Sequence, residues 1–156
     1  MTLKYTIPGN PTTKKNSQRI IRLGNGRTII KPSAQYDAYE SMAGYYIQPK
    51  PEAPIDYPVN CKYVYYMETR RKVDALNLCE ATDDILVLCG VLKDDNRDIV
   101  AAHDGTRVYY DKEYPRVEIL ITPIQESYGQ WSLKTTGTVK PEKKPVLEEF
   151  DEEHWD

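Results

Sequence analysis

Residues 74–95 read DALNLCEATDDILVLCGVLKDD, and this stretch decides the fold. Asp74 is a candidate N-cap, and Gly90 is the residue type expected just after a helix end. Between them, one stripe of apolar or small side chains recurs at helical spacing, at Leu78, Thr82, Ile85 and Cys89. The stretch therefore predicts a helix of about 15 residues, roughly 22 Å long, followed by a turn that carries two adjacent aspartates.

The flanking segments predict strands and one more helix. Ser33 is a plausible N-cap for a helix over 34–47. Residues 58–68 alternate in the manner of a strand, and Gly24-Asn25-Gly26 separates two arms of a hairpin. Further strand-like runs cover 2–7, 98–103, 106–110 and 117–123. The order predicts an α+β fold, with a mixed β-sheet on which two main helices pack.

Composition predicts one domain over 1–125 and a flexible acidic tail over 126–156. The first segment holds 17 Lys and Arg against 16 Asp and Glu, whereas the second holds 4 against 8. The tail has no periodicity, so we expect it to be disordered or to dock on a protein partner. No apolar run is long enough for a membrane span. Three cysteines without a CxxC pattern indicate reduced thiols and a cytoplasmic location.

Charge is segregated within the first segment. Acidic residues concentrate between Asp74 and Asp98, whereas basic residues form two groups. These groups contain Lys14, Lys15, Arg19, Arg22, Arg27 and Lys31, and then Arg70, Arg71 and Lys72. The pattern is typical of a polyanion ligand beside a cation site, and it is equally typical of solvated surface charge.

The predicted main helix carries a face of polar side chains. Asn77, Glu80 and Asp84 are spaced three and four residues apart, so they share that face. An exposed acidic face is the simple explanation. A metal site is the alternative, and it needs Asp94-Asp95 to meet the helix carboxylates. Oxygen ligands without His or Cys favour Mg²⁺ or Mn²⁺. The length of the helix separates Asp74 from Asp95 unless a second subunit or a returning strand closes the gap.

Four segments together resemble the RusA-type Holliday junction resolvases, especially their prophage-borne branch. They read IPGNPTTKKNSQRI, KPSAQYDAYE, RRKVDALNLCEATDDILVLCGVLKDDNRDIV and YDKEYPRVEILI, in order over about 3–122. The resemblance implies a homodimeric, Mg²⁺-dependent endonuclease that cuts four-way DNA junctions symmetrically, with its sites near the dimer interface.

The resemblance also implies roles for individual residues. Asp74 and Asp95 match acidic positions of the family, and Asp94 precedes the second as a supporting or alternate ligand. Asn77 and Asp84 match supporting positions on the helix. The family's second acidic position is Leu76 here, and its catalytic lysine position is Glu80. Glu80 is then expected to replace the missing metal ligand, and Lys72, Lys14 or Lys15 to supply the positive charge.

Three functions follow as hypotheses. The first is an endonuclease in which Asp74, Asp95 and Glu80 are catalytic and hold Mg²⁺ together with Asp94. Its phosphate contacts would come from Lys14, Lys15, Arg19, Arg70, Arg71 and Lys72. The second is a non-catalytic dimer that binds branched DNA. The third is a phage structural or adaptor protein whose tail recruits a partner.

Overall fold

The computed structural model describes residues 2–15 and 18–124. Within these residues, seven strands and two helices follow one another in chain order. They are β1 (Leu3–Pro8), β2 (Arg19–Arg22), β3 (Thr28–Lys31), α1 (Ala34–Tyr46), β4 (Val59–Met67), α2 (Ala75–Leu88), β5 (Val100–Ala102), β6 (Arg107–Tyr110) and β7 (Arg116–Pro123). These bounds agree closely with the elements that the sequence predicts.

The main sheet is mixed, with β4 as its longest strand. β1 pairs antiparallel with β7, and β7 pairs antiparallel with β4. Both β5 and β6 lie along the remaining edge of β4, one after the other and both parallel to it. The strands β2 and β3 form a separate two-stranded sheet. Because α2 connects β4 to β5, the chain can return to the start of β4 and pair in parallel.

One face of the main sheet forms the core. Alternate residues of β4 are buried, namely Val59, Cys61, Tyr63 and Tyr65. Tyr63 lies opposite Ile119 of β7, which lies opposite Tyr5 of β1, so all three strands contribute to one buried row. Buried side chains of α1 and α2 complete the core. The chain is therefore α+β, a mixed sheet with two helices, as predicted.

Both ends of α2 have the predicted caps. The Asp74 carboxylate accepts a hydrogen bond from the Leu76 backbone N–H at 2.9 Å. At the other end, Gly90 adopts a positive φ of 77°. The Gly90 N–H donates to the Val87 carbonyl, and the Val91 N–H donates to the Leu86 carbonyl, a Schellman motif. This motif turns the chain sharply, so the loop that contains Asp94 and Asp95 begins at the end of the helix.

The remaining predictions on organisation concern the membrane, the thiols and the tail. Among residues 2–15 and 18–124, neither helix has the length and apolar composition of a membrane span. Cys61, Cys79 and Cys89 are free thiols. The tail predicted over 126–156 lies outside the described residues.

Candidate functional site

Asp74 and Asp95 lie at opposite ends of α2 within one chain. Asp74 caps the first turn, and its carboxylate is engaged by the backbone there. Asp95 lies close to Asp84, which is ten residues, or about 15 Å, along the helix from Asp74. A single chain therefore does not bring Asp74 and Asp95 to one cation, which is the separation that the helix length predicts.

Asp84 and Asp95 do come together. They line one pocket of about 350 Å³ at the C-terminal part of α2. Partial burial, together with the carboxylates of Asp84 and Asp94, raises the pKa of Asp95 above its ordinary value. Burial is the largest cause of this raised pKa, and the neighbouring carboxylates add to it; a cation bound beside them would oppose the effect. Asp84, to which the sequence assigned only a supporting role, is thus the α2 carboxylate that lies beside Asp95.

Asp94 shapes the loop that carries Asp95. Its carboxylate accepts a hydrogen bond from the Asp95 N–H at 2.7 Å and another from the Asn96 side-chain amide at 3.1 Å. The Asn96 side-chain oxygen in turn accepts from the Asp98 N–H at 3.0 Å. These bonds orient the loop locally, so Asp94 acts on Asp95 through the backbone as well as by charge.

Glu80 points away from the pocket and pairs with a lysine. Its carboxylate lies 3.1 Å from the Lys15 ammonium, and both side chains are more than half exposed. Lys14, the preceding residue, pairs with Asp84 at 2.8 Å. Of the three lysines that the sequence offered as a replacement positive charge, Lys14 is therefore the one that lines the pocket. Leu76, at the family's second acidic position, is 76% exposed.

Of the other predicted basic residues, one forms an ion pair with a carboxylate and three do not. Arg19 binds Asp37 at 2.8 Å and also donates to the Pro32 carbonyl, so it ties the β2–β3 hairpin to α1. Among the described residues, Arg70, Arg71 and Lys72 have no carboxylate within ion-pair distance. They lie in the exposed loop between β4 and Asp74.

Arg70 also contacts an aromatic ring. Its guanidinium lies 4.4 Å from the centre of the Tyr110 ring, at the end of β6. This contact holds one cation of the loop against the sheet edge while leaving its charge uncompensated. The loop before α2 is consequently the most accessible positive segment near Asp74.

One residue of α1 lines the pocket and was not predicted, and a buried tyrosine of the same helix lies near it. Glu40 lines it together with Asp84 and Asp95. Tyr36, one helical turn earlier, is 1% exposed, and its hydroxyl has no hydrogen-bond partner among the described residues. A signal was present in the sequence, because Glu40 falls between Tyr36 and Ala43 on the buried stripe of α1, where a charged residue needs a reason.

A second buried polar group lies behind α2. Asp83 accepts a hydrogen bond from the Tyr63 hydroxyl at 2.5 Å, and its other oxygen lies 3.1 Å from His103 Nε2. His103 Nδ1 donates to the Cys61 carbonyl at 2.8 Å, since a carbonyl oxygen only accepts. The sequence assigned no role to His103 or Asp83, so this network was missed. Its members are up to 42 residues apart, and no local pattern indicates such a contact.

Across residues 2–15 and 18–124, no three side chains of the His, Cys, Asp or Glu type are placed to hold one metal ion together. The donor set of the pocket still matches a hard cation, because Asp84, Asp95 and Glu40 offer only oxygen. The predicted set of Asp74, Glu80 and Asp95 is not gathered in one chain.

The chain matches no model of a known protein family. No curated protein matches it either.

Proposed function

We propose that the chain is a Mg²⁺-dependent, structure-selective DNA endonuclease of the RusA type, which resolves four-way junctions as a homodimer in the cytoplasm. One observation carries the proposal: Asp84 and Asp95 share a pocket with the ammonium of Lys14. Paired carboxylates can hold a divalent cation, and that cation and a lysine can both stabilise the negative charge that develops on the phosphate in the transition state of phosphodiester hydrolysis. The four family-like segments of the sequence support the same activity.

The residues of this chain take distinct roles in the proposal. Asp84 and Asp95 hold the cation, and Asp94 positions Asp95 through the loop backbone. A bound Mg²⁺ would polarise the phosphodiester and lower the pKa of the attacking water. Lys14 stabilises charge on the phosphate, which gives it the function that Glu80 cannot have. Mn²⁺ is the expected substitute for Mg²⁺ at such an oxygen site.

The homodimer accounts for the two residues that the single chain leaves aside. Asp74 and Glu80 are exposed along α2 and belong to the family-like segment. Leu76 and Leu88, near the two ends of the same helix, are 76% and 66% exposed. Exposed apolar side chains on one helix suit contact with a second copy. In the dimer, Asp74 of one subunit can then join the chemistry of the other.

Cleavage of a synthetic four-way junction in Mg²⁺ tests the proposal. We expect symmetric nicks from the wild type and none from a linear duplex of the same sequence. Asp84→Asn and Asp95→Asn should each reduce the rate by on the order of 100-fold or more, as loss of a metal ligand does. Asp98→Asn, an exposed change in the same loop, is the matched control and should cleave normally.

Asp74→Asn separates catalysis from helix capping. Asn and Asp cap helices about equally well, so this variant should keep the stability of the wild type. Loss of cleavage without loss of stability would assign Asp74 to the active site of the dimer. Wild-type activity in Asp74→Asn would leave it as a cap only.

A non-catalytic protein that binds branched DNA is the second candidate, because Asp84 and Glu80 are already neutralised by Lys14 and Lys15. Salt-sensitive binding of the junction without nicking in Mg²⁺ or Mn²⁺ would favour it. Absence of binding at low salt would contradict both candidates.

A further inference from the structure

One face of the main sheet is not covered by the helices. The buried residues of α1 and α2 pack with the other face, whose side chains include Tyr5, Tyr63 and Ile119. The strand residues that alternate with these point away from the helices, and within residues 2–15 and 18–124 none of them belongs to the core cluster. We call this surface the open face, and it carries Lys4, Lys62, Tyr66, Arg107, Tyr109 and Arg116.

Aromatic rings lie together at one end of the open face. Arg116 of β7 is opposite Tyr66 of β4, which is opposite Tyr109 of β6. The centres of the Tyr66 and Tyr109 rings are 5.7 Å apart, and the rings are inclined by 35°. The Arg116 guanidinium lies 3.8 Å from the centre of the Tyr66 ring and 4.5 Å from that of Tyr114, in the loop before β7. Because Tyr109 and Tyr114 are 51% and 50% exposed, both rings are accessible to a planar ligand.

Arg116 holds these rings in place. Its guanidinium donates to the carboxylates of Asp111 and Glu118, each at 3.1 Å, and to the Tyr114 carbonyl at 2.9 Å. The two carboxylates neutralise its charge, so Arg116 supports the rings and does not itself attract an anion. Side chains that are ordered before a ligand arrives lose less conformational entropy when it binds.

Positive charge occupies the rest of the open face. Lys4 of β1 and Lys62 of β4 are opposite the same residue of β7, and they line a pocket of about 340 Å³. In the part of the chain that the structure describes, Lys4, Lys62 and Arg107 have no carboxylate within ion-pair distance. Glu118 lines the same pocket, but its carboxylate is paired with Arg116. Three cations are thus available to an anionic ligand.

Exposed rings beside unpaired cations indicate the class of ligand. The bases of a single nucleic-acid strand stack on aromatic side chains, and its phosphates bind cations. A duplex hides the faces of its bases, so only an unpaired strand uses both features. A sugar stacks on tyrosine but lacks the negative charge. A second copy of the chain fits less well, because the centres of protein interfaces are depleted of charged residues.

We propose that the open face of the main sheet binds an unpaired strand of nucleic acid. Bases stack on Tyr109 and Tyr114, and phosphates contact Lys4, Lys62 and Arg107. Lys62 lies four residues from Tyr66 along β4, about 13 Å, so a strand of several nucleotides covers both ends of the face. The site goes beyond the proposed cleavage of junctions, since it needs no metal ion and uses no residue of the pocket beside α2.

Binding of a fluorescein-labelled oligothymidine of about 12 nucleotides, measured by fluorescence anisotropy without divalent cations, tests the inference. Tyr109→Leu should weaken this binding about fivefold or more, as loss of one stacking ring does, and should leave binding of a duplex unchanged. Tyr109→Phe keeps the ring and should bind within about twofold of the wild type. Tyr45→Leu is the matched control, because Tyr45 is an 83% exposed tyrosine of α1, and it should bind as the wild type does.

The phosphate contacts are tested by salt. Lys62→Gln with Arg107→Gln should reduce the slope of log affinity against log salt by about 0.7 for each lost contact with the single strand. Lys50→Gln, an exposed change in the loop after α1, should leave the slope unchanged. Oligouridine of the same length distinguishes RNA from DNA as the source of the strand, and tighter binding of either one supports the proposal.

Photocrosslinking locates the strand directly. Oligothymidine that contains 5-iodouracil should crosslink to Tyr109 or Tyr114, identified by mass spectrometry. Crosslinks confined to residues outside the open face and Tyr114, or equal binding by Tyr109→Leu and the wild type, would overturn the inference. If Tyr109→Leu unfolds on heating far below the wild type, Tyr114→Leu provides the comparison.

Two further measurements separate the remaining outcomes. If sedimentation shows that Tyr109→Leu turns a dimer into a monomer as it loses the strand, the open face is an interface between copies and the inference fails. Cleavage of a four-way junction in Mg²⁺ is measured on the same preparations. Normal cleavage by a wild type that does not bind oligothymidine would overturn this inference alone, whereas binding without cleavage would overturn the proposed function alone.

Discussion

Neighbouring residues of α2 have opposite surroundings at the residue scale. Asp83 faces the core, where Tyr63 and His103 satisfy its two oxygens. Asp84 faces the pocket, where Lys14 and Asp95 are its neighbours. One residue turns a helix by about 100°, so adjacent aspartates can serve unrelated purposes. Asp83 is therefore a structural residue of the core, whereas Asp84 is a candidate functional residue.

The core network makes a prediction about pH. Burial lowers the pKa of His103, but its hydrogen bond to Asp83 and the charge of that carboxylate outweigh burial, so the net effect raises this pKa. A raised pKa in the folded state stabilises the fold at pH values below the ordinary histidine value, and this stabilisation is lost as pH rises through the raised pKa. Urea unfolding should therefore show lower stability at pH 8 than at pH 6.

His103→Gln is the comparison for this pH effect. It should be less stable than the wild type at pH 6, and the difference should narrow at pH 8. An equal difference at both pH values would show that the imidazolium charge does not contribute. Asp83→Asn should remove the same pH dependence from the other side of the contact.

Residue-scale contacts were the least predictable from sequence. The cap at Asp74 depends on the two residues that follow it, so its type and position sufficed to predict it. The pairing of Asp84 with Asp95, and of both with Glu40, depends on where separate elements pack. The separation of Asp74 from Asp95 could be predicted although the two residues are distant in sequence, because the length of a helix is fixed by its residue count.

At the scale of elements, the end of α2 determines where the loop that carries Asp95 begins. Gly90 has a positive φ of 77°, and a Cβ there would meet no atom within 4 Å. Gly90→Ala should thus cost about 1 kcal/mol through backbone strain alone, which corresponds to roughly 3 to 6 °C in melting temperature. Because the strained turn leads into the pocket, the variant should also cleave more slowly.

Gly44→Ala is the matched control for this change. Gly44 lies inside α1, and a Cβ there would make ordinary contact with the Cys89 sulfur at 4.0 Å. Replacing a helix-interior glycine by alanine should stabilise the protein by about 0.5 to 1 kcal/mol. The melting temperature should therefore fall in Gly90→Ala and rise in Gly44→Ala. A lower melting temperature in both variants would contradict the backbone argument.

Most elements could be predicted because their signals are local. Alternation in β4 and the capping residues of α1 and α2 each act within a few positions. The strands β5 and β6 were predicted as separate runs, but their shared pairing along one edge of β4 was not. That arrangement depends on the route of α2 across the sheet, which no single segment contains.

Whole-molecule charge predicts how DNA binding responds to salt. The loop of Arg70, Arg71 and Lys72 carries three cations without carboxylate partners in the described part of the chain. Arg71→Gln with Lys72→Gln should weaken binding of a four-way junction and reduce the slope of log affinity against log salt by about one for each lost phosphate contact.

Arg19→Gln is the control for the salt experiment. Arg19 is already paired with Asp37 and bonded to the Pro32 carbonyl, so its loss should change the slope less. Equal slopes for the wild type and the double variant would exclude the loop before α2 from the DNA-binding surface. The measurement needs Mg²⁺ to be absent, so that cleavage does not remove the substrate.

The position of β7 has a consequence for biosynthesis. β1 is made first of the nine described elements, yet within residues 2–15 and 18–124 its one partner in the sheet is β7, which is made last of the nine. A nascent chain that ends before Arg116 therefore lacks the strand that joins β1 to β4. Its apolar residues stay without their sheet partners until synthesis passes Pro123, so we expect the domain to fold late on the ribosome and to need protection from aggregation before then.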